Sequence, residues 1–318
     1  MDPNAQLVNV LQAATVLLLA PLIAGVAARA KAWTESRRGP SILQPYRDLR
    51  KLLHKETLRP VGSSRMFVAP LIVAFGIYLV IAIILPIITA YPLPYGSAAD
   101  FLGGGLLFGL AGTLALLAAL DSGSNYAALG ASRTVSFAAF AEPTLIVVFF
   151  AVAVITGTNN PYVTTDLLAG SAAAYLAPTH LLATAAFLLL LLAETGKLPV
   201  ESAGLMELGM IEEGRAFEHS GRPLALFHWN GWMKQFLLYA VFLNVFLVPW
   251  GFVPGPTPLA AVANIGVLLA KEFGLVGGLV VLEATLAKVR LFKIQDFLAL
   301  SFSLAVLSVF VFVVLGGP

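Results

Sequence analysis

Several carboxylates in this chain stand where carboxylates are rarely placed. Glu142 sits in the apolar run FAAFAEPTLIVVF, Lys271 and Glu272 interrupt another, and Glu283 follows twelve residues after Lys271. Between two of the most apolar segments lies ETGKLPVESAGLMELGMIEEGRAFEHSGR, which holds Glu194, Glu201, Glu207, Glu212, Glu213 and Glu218. Closely spaced acids in apolar surroundings titrate as a coupled group, and such a group can hold and pass protons near neutral pH. Lys271 and Glu283 lie about 18 Å apart at helical rise, so they cannot pair with each other. Adjacent Lys271 and Glu272 point about 100° apart and need partners from other helices or water. The structural alternative for Glu142 or Glu283 is an interhelical hydrogen bond, and for the 194–222 stretch an exposed acidic surface. Against exposure, Leu205, Met206, Leu208, Met210 and Ile211 interleave with the acids.

The elements that must position these groups are membrane helices. Of 318 residues, 59% are hydrophobic and 11% charged, where soluble domains have about a quarter charged. Mean hydropathy is +0.89. The net charge of +2 gives no reason to invoke nucleic acid. Cysteine is absent, so disulfides, thiolate nucleophiles and cysteine-ligated clusters are excluded. No cofactor or metal is expected on this chain.

A hydrocarbon core of about 30 Å needs roughly 20 apolar residues per helix. Eight windows qualify, at about 5–30, 66–90, 103–120, 134–157, 175–195, 233–252, 258–285 and 295–316. The first has no basic residues before it and is too long for a signal peptide, so it reads as a retained span. Gly105 and Gly109, and Gly274 and Gly278, have the spacing that lets helices approach closely. Basic residues fall only in alternate connections. The first carries Lys31, Arg37, Arg38, Arg47, Arg50, Lys51, Lys55, Arg59 and Arg65, the third Arg133, the fifth Lys197, Arg215 and Arg222, and the seventh Lys288, Arg290 and Lys293. Cytoplasmic loops retain such residues, so the expected architecture is an all-α integral membrane protein with eight transmembrane helices and both termini outside. Residues 1–318 form one membrane domain, with cytoplasmic loops 31–65 and 196–232. Glu142, nine residues past Arg133, then lies about 13 Å into the bilayer, and Glu194 and Glu283 share its cytoplasmic half. Pro143 is expected to loosen the helix beside Glu142.

In the first loop, Pro45 suits a first helical turn and Tyr46, Leu49, Leu52 and Leu53 follow at helical spacing, with basic residues on the other face. This is an amphipathic interfacial helix, suited either to anionic headgroups or to a protein partner. His54, His219 and His228 fall on the cytoplasmic side and His180 on the other, which disfavours a bis-histidine haem; each reads as a polar surface or interface residue. Tyr91, Tyr95 and Trp250 read as interface anchors.

RRGPSILQPYRDLRKLLHKE resembles the first cytoplasmic loop of the membrane subunit of group 4 nickel–iron hydrogenases, the hydrogenase-4 and formate hydrogenlyase type, itself similar to the membrane subunit 1 of respiratory complex I. AETGKLPVES with MELGMIEEGRAFEHSGR is similar to that family's second signature, through Glu194, Lys197, Pro199, Glu201, Glu207, Glu218, Ser220 and Gly221, and Glu142 matches its membrane glutamate. Lys197, Val200 and His219 stand where complex I has arginine, phenylalanine and tyrosine. The short first loop and the run through Glu212 and Glu213 favour the hydrogenase branch.

The resemblance implies a non-redox subunit of a prokaryotic plasma-membrane hydrogenase complex. It would anchor a peripheral arm that carries the nickel–iron centre and iron–sulfur clusters, beside antiporter-like membrane subunits. Arg37, Arg38, Gln44, Tyr46, Asp48, Lys51 and Lys197 would dock the arm. Glu142, Glu194, Glu201, Glu207, Glu212, Glu213 and Glu218 would carry protons, with Lys271, Glu272 and Glu283 as secondary members. Rival readings are a quinone-chamber subunit of a complex I-like dehydrogenase, a stand-alone secondary transporter, which would be expected to show matching inverted halves, and a purely structural anchor.

Overall fold

The computed structural model describes residues 3–197, 213–286 and 293–315. Among these the chain is all helical, with no strand. The helices are α1 (Pro3–Thr34), α2 (Gln44–His54), α3 (Ala69–Ile84), α4 (Phe101–Leu120), α5 (Asn125–Thr156), α6 (Pro161–Gly170), α7 (Ala172–Tyr175), α8 (Pro178–Glu194), α9 (Gly221–Val241), α10 (Pro258–Thr285) and α11 (Ile294–Leu315). Among the described residues, six stretches are long and apolar enough to cross a membrane: Pro3–Thr34, Arg65–Ile84, Phe101–Leu120, Asn125–Thr156, Pro258–Thr285 and Ile294–Val314. Of the other two expected windows, 175–195 holds α8, while 233–252 holds only the last part of α9 and the π-helical turn Phe242–Leu247 after it; α9 begins at Gly221, inside the expected loop 196–232. Helix α8 is apolar but has only 17 residues. Helix α9 carries His228, Asn230, Lys234 and Gln235. It can do so because it is an inner helix, packed against α1, α2, α3, α8 and α10, so its polar groups face protein rather than lipid. Met233, Phe236, Leu237, Leu238, Tyr239 and Ala240 on it are fully buried.

Around α9 the remaining helices form two groups. Helices α3, α4 and α5 pack in sequence, with α11 joining α5 to α8, while α1 and α10 pack together on another side. Helix α5 runs unbroken through Pro143, against the loosening expected there. Thr144 Oγ1 donates to the Phe140 carbonyl at 2.6 Å beside it.

Where α3 stops before Pro86, its last carbonyls would be left without partners in an apolar setting. Buried side chains from two other helices meet them. Gln12 Nε2 donates to the Ala82 and Leu85 carbonyls at 2.8 and 2.7 Å, and its Oε1 accepts from the Ile87 and Ile88 amides at 3.3 Å. Asn244 lies in the π-helical turn Phe242–Leu247 that continues α9, and its Nδ2 donates to the Pro86 and Ile87 carbonyls at 3.1 and 2.9 Å. Lys271 Nζ completes the knot, donating to the Val248 carbonyl at 2.8 Å and to Asn244 Oδ1 at 3.4 Å, with the Phe252 ring centroid 4.1 Å away. The π turn offsets α9 by the residue that brings Asn244 into this register.

The two loops that carry the family signatures are joined to each other. The amide of Leu58 donates to Ser220 Oγ at 2.8 Å. Gly221 has φ +56°, and a Cβ there would lie 2.7 Å from the Glu56 carbonyl oxygen, so only glycine permits this approach. His219 is buried against Phe67, with ring centroids 4.4 Å apart, and stacks on Phe227 at 6.1 Å. His180 is buried as well, so the expected surface placement fails for both histidines. Their flanks explain it: each lies beside aromatic rings, Phe67 and Phe227 for His219, Tyr175 and Phe246 for His180.

Replacing Gln12 by Leu strands several buried backbone groups and should lower stability by about 2–4 kcal/mol, read as a lower midpoint of thermal unfolding. Native-like melting would show that the knot is not needed. Burial lowers the His219 imidazole to about 4. Above about pH 6.5 it is neutral both folded and unfolded; below that, only the unfolded chain takes the proton, so stability falls as pH drops from about 6.5 toward 4. His219→Phe should keep more of its pH 7 stability at pH 5 than the native protein does, measured by thermal unfolding at both values.

Candidate functional site

Glu142 and Glu194 line one cavity of about 100 Å³, between α4, α5, α8, α9 and α11, together with Thr134, Arg215 and Lys234. Glycine makes the room. A Cβ on Gly109 of α4 would lie 3.3 Å from Glu142 Cδ, and one on Gly105 would lie 3.4 Å from the Phe149 ring. The Gly105–Gly109 spacing therefore does bring α4 close to α5, and the bare surface it leaves receives the carboxylate. Gly274 and Gly278 differ: a Cβ on either meets nothing within 4 Å.

Glu194 is the last residue of α8, and Gly196, at φ +59°, turns the chain away so that the Lys197 amide caps the Leu192 carbonyl at 2.9 Å. The carboxylate of Glu194 forms an ion pair with Lys234 of α9; their side chains are 14% and 23% exposed. Glu142 is within electrostatic range of both. The same pair also borders a second cavity of about 190 Å³, lined by Tyr78 of α3, by Thr195, and by His228, Asn230 and Gln235 of α9. Gly112, Glu194, Arg215 and Lys234 border both cavities. Arg215 belongs to a single 3₁₀ turn, Glu213–Ala216, held against α5, where a Cβ on Gly130 would come within 2.9 Å of the Gly214 carbonyl carbon. Its guanidinium lies 5.6 Å from the centre of the Phe227 ring.

Of the expected proton carriers, Glu142 and Glu194 are thus brought together. Glu201, Glu207 and Glu212, with Pro199 and Val200, lie outside the described residues, as do Lys288 and Arg290, and the Glu213 side chain is likewise outside. Glu218 is exposed and does not border the cavities. Glu283 is buried and pairs with Lys31 at 3.5 Å. Glu272 is wholly buried, and neither of its oxygens has a hydrogen-bond partner among the described residues. Tyr239 is in electrostatic range of both Glu272 and Glu283. Lys271 is committed to the knot at the end of α3.

Among the expected docking residues, Arg37, Arg38 and Lys51 are exposed. Gln44 and Asp48 bond each other one helical turn apart at 2.8 Å, and the Tyr46 hydroxyl donates to the Leu18 carbonyl of α1. A Cβ on Gly25 would collide with the Ile42 carbonyl, so α1 accepts the start of this loop against its bare backbone. These contacts fix α2 in place and present Arg37, Arg38, Arg47, Arg50 and Lys51 outward.

Lys234 is the site residue that sequence reasoning passed over. It stands inside an expected span, so the rule that singled out Lys271 applies to it equally. Arg215 was read only as a loop charge. Among the described residues no three His, Cys, Asp or Glu side chains converge as a metal site would require. Two acids, two cations and space for water make an arrangement that can bind and release protons.

The sequence profile of the NADH dehydrogenase family matches residues 7–315. Hydrogenase-4 component C of Escherichia coli is 34% identical over 303 residues, covering 93% of this chain and 92% of the relative. Formate hydrogenlyase subunit 4 of the same organism is 33% identical, covering 88% and 90%. NADH-ubiquinone oxidoreductase chain 1 of Hylobates lar is 33% identical over 68% and 67%. Among solved structures, a chain of the membrane-bound sulfane sulfur reductase, an archaeal respiratory membrane complex, superposes with a TM-score of 0.80 at 21% identity, covering 96% of this chain and 99% of that one, and so shares the fold. An all-helical bundle with a paired acid in its interior and relatives matched along nearly their whole length lead to one assignment: this chain is a membrane protein of the NADH dehydrogenase family.

Proposed function

We propose that this chain is the membrane subunit of an ion-translocating nickel–iron hydrogenase complex of the hydrogenase-4 or formate hydrogenlyase type. Its two hydrogenase-type relatives support that branch, each matched over about nine tenths of both chains. In this reading the chain is one membrane domain of eight spans, with α8 and the continuous α9–π segment completing the six long apolar stretches. The end that bears Lys31 and α2 faces the cytoplasm of a prokaryotic cell, and both termini lie outside. The peripheral arm docks over the exposed basic residues Arg37, Arg38, Arg47 and Lys51, with Gln44, Tyr46 and Asp48 holding α2 in position beneath it. The nickel–iron and iron–sulfur centres belong to that arm, and antiporter-like membrane subunits stand alongside.

Proton movement through Glu142 and Glu194 is the chemistry of this chain. The observation that carries it is that two acids from separate helices share one small cavity with Lys234. A carboxyl there exchanges its proton through water or directly with its neighbour. Redox events in the arm shift the protonation of the coupled acids, and the shift biases the neighbouring subunits. Glu201, Glu207 and Glu212 are further proton carriers of this reading, while Glu272 and Glu283 serve as members beyond Tyr239.

Glu142→Gln and Glu194→Gln remove the titrating group while keeping shape. In the complex reconstituted into vesicles, each should lower the number of protons moved per hydrogen molecule at least tenfold, with the partner subunits still co-purifying. An unchanged ratio in both variants would contradict the role.

A further inference from the structure

We propose that Lys234 is the mobile counter-charge of this pathway, leaving Glu194 for Glu142 when the proton passes from Glu142 to Glu194. The inference rests on the proton-path reading above and adds to it the residue that makes transfer electrically possible.

Two carboxylates that share one proton carry a single negative charge between them, and that charge changes places whenever the proton does. A fixed cation would favour one location and hold the charge there. Lys234 is instead placed to follow it. Its amine pairs with Glu194, while Glu142 borders the same cavity and lies within electrostatic range. With Lys234 positive, the set of three stays neutral before and after transfer. One O–H bond breaks at Glu142, one forms at Glu194, and the ammonium keeps its own protons.

The surroundings leave space for the movement. Lys234 borders both cavities, and a Cβ on Gly112 of α4 or on Gly231, one turn before Lys234 on α9, would meet nothing within 4 Å. Arg215 also borders both cavities, but its guanidinium is laid against the Phe227 ring and its turn is packed on α5. It is the stationary cation. Lysine suits the mobile role because its ammonium is a compact charge on a flexible stem, whereas the planar guanidinium of arginine holds one carboxylate in a two-point grip.

That contrast supplies the test. In the reconstituted complex, Lys234→Arg keeps the charge but should lower the protons moved per hydrogen molecule at least tenfold, because arginine stays on one acid. Lys234→Gln should lower it to a similar degree, and serves as the second variant should the arginine side chain not be accommodated. Co-purification of the partner subunits checks assembly in both. A native ratio in either assembled variant, with Glu142→Gln still impaired, would overturn the mobile counter-charge and leave the proton path standing. Native ratios in Glu142→Gln and Glu194→Gln would instead overturn the path itself.

Discussion

A lysine ammonium and a glutamate carboxylate held together in the interior of a helical bundle set the terms for the rest of this structure. Bringing two charges out of water costs several kcal/mol each, and their attraction offsets this only when geometry and further polar contacts are good. The Glu194–Lys234 pair therefore requires an inner helix, α9, that never has to face lipid, and neighbours that supply small residues rather than bulk. Gly109 and Gly112 on α4 meet that need on one side, and Gly130 on α5 brings the turn bearing Arg215 to the other.

The bundle treats its buried polar groups in two contrasting ways. At the end of α3, Gln12, Asn244 and Lys271 are each bonded to fixed backbone or side-chain partners, and the helix end they secure becomes a fixed point. Around Glu142 and Glu194 the polar groups border open space and share their cations. A satisfied network gives rigidity, while a partly open one keeps protons exchangeable. Two lysines thus contrast within one protein: Lys271 is bonded to a backbone carbonyl, and Lys234 is paired with a carboxylate.

Much of this was legible from residue types. Six of the apolar windows coincide with the long apolar helices, though α9 begins at Gly221 in an expected loop, and Pro45 and the helical spacing after it gave α2 with its outward basic face. Glu142 and Glu194 were singled out by the cost of charge in apolar surroundings, and they line one cavity. Spacing could not show that Lys271 caps a carbonyl at the end of α9 or that Lys31 closes on Glu283, because both partners come from distant parts of the chain. The same holds for Ser220 and Gly221. Read as part of a family signature, they turn out to fasten the second loop to the first through Leu58 and Glu56. Their motif is in this respect structural, since a side-chain oxygen and a bare α-carbon are what two touching loops require.

The proposed path requires that Glu142 and Glu194 change protonation while the complex turns over. Infrared difference spectra of the assembled complex, recorded between its oxidised and hydrogen-reduced states, report this directly through carboxylic acid carbonyl bands. The path predicts one set of bands lost in Glu142→Gln and a second lost in Glu194→Gln. Spectra identical to native in both variants would contradict it.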